Sequence, residues 1–179
     1  MRWGLLLLVV CAGALPGQER TAPATLTGPQ AALQDSLLNR LAGRWTMSGA
    51  VRGKPVIMNL DADWVLQHHW LRLLMTDTGT PPAYEANVYI GDDPVGKRFV
   101  AHWLDNFGGW WSETLGYARH PSGSAERTAM TFVFDYPDGP FHTTFTLGKD
   151  LSTWSVLMQD RGPDGDWREF AHYALRRRT

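Results

Sequence analysis

Cysteine occurs once in this 179-residue chain, at Cys11, inside a segment built like an export leader. Arg2 supplies a positive start, Leu5 to Val10 an apolar centre and Ala12-Gly13-Ala14 a small-x-small cleavage site. A chain cut after Ala14 has no thiol, which excludes a disulfide, a thiolate metal site and a cysteine nucleophile. Lipid attachment at Cys11 is disfavoured because Val10 stands where a small residue is the usual requirement. The expected location is therefore periplasmic or extracellular. The leader's apolar run is too short to span a bilayer as a helix, so no integral membrane segment is expected in the mature chain. The formal net charge is -1, and no basic stripe points to nucleic acid or to an anionic membrane. Phosphate-cradling glycine loops, a nucleophile elbow and a metal-binding helix motif are all missing.

Aromatic residues, by contrast, are abundant: they make up 12% of the chain, with nine Trp. Residues 15–28 are rich in Thr, Ala and Pro and read as an extended spacer ahead of one domain, 29–179. Thr27 is placed to cap a short helix, with Pro29 in its first turn and Leu33, Leu37 and Leu41 as an apolar stripe. That helix either plugs one end of a sheet or packs on its outside. From Gly43 onward, alternation of apolar and polar residues predicts strands over 45–51, 56–64, 66–75, 84–90, 97–104, 110–117, 128–136, 141–147, 151–158 and 167–175. Turn residues separate them, including Pro137-Asp138-Gly139-Pro140, whose Asp-Gly suits the positive dihedrals of a tight hairpin. No crossover helix intervenes, so a parallel sheet is excluded. An all-β fold follows: a closed antiparallel up-and-down β-barrel of about ten strands with one short N-terminal helix, a two-sheet sandwich being the rival.

Strand periodicity also nominates inner faces. Met130, Phe132, Phe134 and Tyr136 share one, Phe141, Thr143, Phe145 and Leu147 another. Trp167, Ala171, Tyr173 and Leu175 form a third, with Phe170 and His172 opposite. Phe99, Ala101 and Trp103 oppose Val100, His102 and Leu104, and periodicity does not decide between them. A barrel of this size holds a small ligand unless side chains fill it. Candidate ligand-binding residues are His68, Trp70, Arg72, Trp103, Phe132, Phe134, Phe145 and Tyr173. Arg72 either points into the pocket and binds a carboxylate or lies on the solvent face.

Gly43-Arg44-Trp45 after a short helix, together with Arg176 to Arg178 on the last strand, resembles the lipocalin-like, or calycin, superfamily. The resemblance implies a structural signature of Gly43, Trp45, Arg176 and Arg177, in which one guanidinium covers the Trp45 indole at the barrel base. Gly91-Asp92-Asp93-Pro94, Phe99 to Asp105, Gly116 and Asp164-Gly165-Asp166-Trp167 before Ala174 to Arg177 are similar to an uncharacterised bacterial family of calycin-type barrels. That similarity implies a fold and no defined activity. It departs at Asp92, where an aromatic is usual. His172 ahead of Ala174-Leu175-Arg176 resembles the proximal histidine of nitrobindin-like haem barrels, but their glycine-rich opening motif is missing, with only Gly49 following Trp45. The leading expectation is thus a carrier of a small apolar or amphipathic molecule without a cofactor. Haem at His172, or a barrel enzyme using Arg72, His68 and Asp105, is the alternative.

Overall fold

The computed structural model describes residues 31–109, 115–120 and 127–178. The leader, the spacer and the Thr27 cap lie outside the described residues. Among the described residues there are one helix, α1 (Ser36–Leu41), and ten strands. The strands are β1 (Gly43–Val51), β2 (Lys54–Val65), β3 (Trp70–Asp77), β4 (Glu85–Asp93), β5 (Arg98–Asp105), β6 (Leu115–Arg119), β7 (Ala129–Tyr136), β8 (Gly139–Leu147), β9 (Trp154–Arg161) and β10 (Trp167–Arg177). Each pairs antiparallel with its neighbours in sequence, and β1 pairs with β10, so the sheet closes into a barrel with no free edge. The helix is not long and apolar enough to cross a membrane.

Closure follows from the alternation in the sequence. Leu60, Leu71, Leu73, Val88 and Ile90 are fully buried inside, each contributing about 2 kcal/mol of apolar burial. On β5, Phe99, Ala101 and Trp103 face inward, while His102 and Leu104 are exposed. On β10 the alternation is interrupted by a β-bulge between Glu169 and Ala171. The extra residue breaks the parity: Ala171, Tyr173 and Leu175 are buried, yet Trp167, expected on the same face, stacks at 3.7 Å on the outward His142. Phe170, expected to point out, turns to the inside.

Turn chemistry sets the strand ends. Arg52 and Gly53 both take positive φ, 46° and 75°, the pattern of a two-residue type I′ turn. At the β7–β8 hairpin only Gly139 has positive φ, because the loop is Pro137-Asp138 and Gly139 already pairs with Tyr136. β3 begins at Trp70 rather than at position 66, since Leu66, Gln67 and His68 form a turn with left-handed backbone. β9 begins at Trp154, because Asp150 gathers the Ser152 and Thr153 backbone N–H groups and the Thr153 hydroxyl into a tight loop.

The helix closes one end. Its cap is Asp35, whose carboxylate accepts the Leu38 N–H at 2.8 Å, and Leu37, Leu38 and Leu41 are buried in the core. Leu33, ahead of the helix, donates its N–H to the His68 carbonyl at 3.0 Å, in the β2–β3 turn. Asp35 makes two 2.7 Å contacts with Arg127, just before β7. These anchors lie on opposite sides of the ring, so the segment crosses it as a plug.

The seam between β1 and β10 is tight at Gly49. A Cβ there would stand 1.9 Å from the His172 carbonyl oxygen, a backbone atom that cannot step aside. Gly49→Ala is expected to cost about 3 kcal/mol or more in chemical denaturation, whereas an unhindered strand Gly→Ala gains about 0.5–1 kcal/mol.

Candidate functional site

The half of the barrel away from α1 is hollow. A cavity of about 1180 Å³ opens between the β1–β2, β7–β8 and β9–β10 turns, with Arg52, Asp138 and Pro163 at its rim. Met47, Met58, Met75 and Met158 contribute thioethers to its wall, which suits an adaptable apolar surface. Trp103, Phe145 and Tyr173 complete the inner lining, with Tyr84, Tyr136 and Phe141 nearer the mouth.

Ionised groups stand at the rim and uncharged polar groups further in. Arg52 pairs with Asp160 at 3.3 Å, and Asp77 accepts the backbone N–H groups of Gly79, Ala83 and Tyr84 at 2.8, 2.8 and 2.9 Å. Those bonds, led by that from Gly79, hold the Asp77 carboxyl below its ordinary range. Burial has the opposite effect on the phenols. It pushes Tyr136 and Tyr173 up to about 12 and Tyr84 higher still, so all three remain neutral hydroxyls at any physiological pH. Tyr84 Oη accepts the Trp103 indole N–H at 3.2 Å, which leaves the phenol proton to donate elsewhere.

Thr143 is 1% exposed and lines the same cavity, yet its Oγ1 is buried with no hydrogen-bond partner among the described residues. An unmade hydrogen bond of this kind costs about 1–3 kcal/mol. Its signal in the sequence is a hydroxyl between Phe141 and Phe145 on an otherwise apolar strand face.

The residues nominated from sequence divide into three groups. Trp103, Phe145 and Tyr173 meet at the cavity wall. Phe132 and Phe134 are buried at 1% exposure within the barrel packing, where Phe134 meets Trp103 edge-on at 6.2 Å. His68, Trp70 and Arg72 are not at the cavity. His68 lies in the β2–β3 turn beside the plug, stacked on Trp64 at 3.9 Å, while Leu71 and Leu73 take the inner face and leave Trp70 and Arg72 outside. Arg72 pairs there with Asp63 at 2.9 Å. Arg72 and His68 are thus separated from Asp105 at the opposite end, and the three do not form one site. His172 also points outward, 2.6 Å from Glu169, and no histidine among the described residues lines the cavity, so His172 does not fit an axial role to a haem inside. Met47, Met58, Met75, Met158 and Tyr84 are not among the nominated residues, because an isolated Met or Tyr on a strand looks the same whether it fills a core or faces a void.

At the base, Arg177 lies over the Trp45 ring at 4.2 Å and donates to the Ala42 and Arg40 carbonyls at 3.0 and 3.3 Å. Gly43, at φ 132°, makes room for it, since a Cβ would stand 1.8 Å from Arg177 Nη1. Arg176 is exposed on the outer face, and Arg178 pairs with Asp61.

Fold and site together define a closed antiparallel barrel, plugged at one end and hollow at the other. Neither protein-family models nor curated proteins give a match to this chain.

Proposed function

We propose that this protein is an exported carrier of calycin type, holding a small apolar or amphipathic molecule in the hollow half of its barrel. The observation that carries the reading is the one-ended cavity, with thioethers and aromatic rings inside and charges confined to its rim. A wall of this kind removes apolar surface from water on binding, and the neutral phenols orient a polar group of the guest. The leader in the sequence supports export, and Gly43, Trp45 and Arg177 support the calycin assignment.

The test is a titration with N-phenyl-1-naphthylamine, an uncharged dye that brightens in apolar surroundings. Saturable brightening with a blue shift is expected. Met158→Trp, which places an indole in the cavity, is expected to weaken dye binding by at least about tenfold, or about 1.4 kcal/mol, with circular dichroism unchanged. A dye signal that does not saturate, or one indifferent to Met158→Trp, refutes the reading.

A further inference from the structure

We infer, resting on the carrier reading, that the guest is an apolar molecule bearing an uncharged oxygen, a ketone or an alcohol, and that this oxygen is seated at Thr143. Thr143 stands on the inward face of β8, opposite Phe132 on β7 and Met158 on β9. Its neighbours on that face are Phe141 and Phe145, and all four surrounding side chains are apolar. Valine has nearly the same shape and would satisfy such a position without a buried, unpartnered hydroxyl. The hydroxyl at Thr143 is therefore left for a group that no described residue supplies. A staggered step about χ1 carries the hydroxyl into the place its methyl holds, which re-aims the oxygen without moving the strand.

Charge decides the nature of the group. The charged lining residues, including Arg52, Asp77, Asp105 and Asp160, belong to the turns and strand ends at the mouth. A carboxylate or ammonium carried to the depth of Thr143 would lose its water and gain no counter-ion. At the mouth the Arg52 guanidinium is already engaged by Asp160. A ketone accepts from the Thr143 hydroxyl, and an alcohol both gives and accepts, so either satisfies the buried oxygen at no cost in charge burial.

The experiment is displacement of N-phenyl-1-naphthylamine from the full chain by undecan-2-one, undecanoate or undecylamine, three probes of equal length. The ketone is expected to displace the dye at about tenfold lower concentration than either ion, and Thr143→Val to weaken the ketone about five- to tenfold. Thr143→Val is expected to weaken the ketone more than the dye, and Thr143→Ser, which keeps the hydroxyl, to retain ketone binding. Equal or better displacement by undecanoate or undecylamine overturns the inference, as does a Thr143→Val protein that binds the ketone as before or loses dye and ketone alike. In those cases the wild-type dye signal still upholds the carrier reading. Failure of the wild-type protein to bind the dye overturns both.

Discussion

Trp45→Ala is expected to remove about 3–5 kcal/mol of stability, the largest loss from any single truncation at the base of the barrel. The indole is 1% exposed and donates its Nε1–H to the Leu41 carbonyl at 2.7 Å, the last residue of α1. Truncation therefore opens a void beneath the plug and leaves a helix-terminal carbonyl without its donor. Arg177, laid over the ring, loses the surface it covers. Trp45→Phe separates these effects. It keeps most of the volume and an aromatic face, forfeits the hydrogen bond, and is expected to cost roughly 1–2 kcal/mol. Urea denaturation followed by circular dichroism measures both. A Trp45→Ala protein within about 1 kcal/mol of wild type would mean that the base of the barrel collapses around the missing ring rather than depending on it.

Arg127→Met is expected to be nearly as damaging, at about 3 kcal/mol, although it substitutes a chain of similar volume. Arg127 and Asp35 are 14% and 16% exposed and meet through two 2.7 Å contacts, while the guanidinium also lies 4.8 Å over the Phe99 ring. Removing the cation strands a desolvated carboxylate between α1 and the start of β7. Asp35→Asn in the same protein is then expected to restore part of the loss, because asparagine caps the helix about as well and carries no charge. The coupling is read from a double-mutant cycle. Strict additivity of the two substitutions would show that the contact carries no interaction energy. Because the pair is largely shielded from solvent, the loss is expected to persist in high salt, unlike that of an exposed ion pair such as Arg168–Asp164.

Most of the architecture was legible because a closed meander repeats one simple rule. Alternation placed Phe132, Phe134, Phe145 and Tyr173 inward, and turns fell near Gly53 and Gly139, whereas Gly91, read as a turn, continues β4 to Asp93. The rule failed where the backbone broke its own period. The bulge beside Phe170 sent Trp167 outward and Phe170 inward, and no residue in that stretch announces an inserted position. The left-handed turn at Leu66 to His68 was hidden because all three residues are ordinary in strands or helices, and glycine is absent. His68 and Arg72 consequently looked like pocket residues. On β5 both faces carried large side chains, and only the neighbouring strands determined that Trp103 faces in. The helix was visible as a leucine stripe, yet its start shifted to Asp35, because the partner that fixes that carboxylate, Arg127, lies 92 residues away.

The β1–β10 seam also governs how the chain reaches this shape. It joins residues as far apart as Ala42 and Arg177, separated by 135 positions, so the ring cannot shut until nearly the entire domain has emerged. Every other pairing is a local hairpin step, cheap in loop entropy and able to form progressively. Until β10 arrives, β1 and β9 each present a bare row of amides to any neighbouring chain. The slow, aggregation-sensitive moment of folding therefore falls at the very end, and it is β10 that brings it to a close.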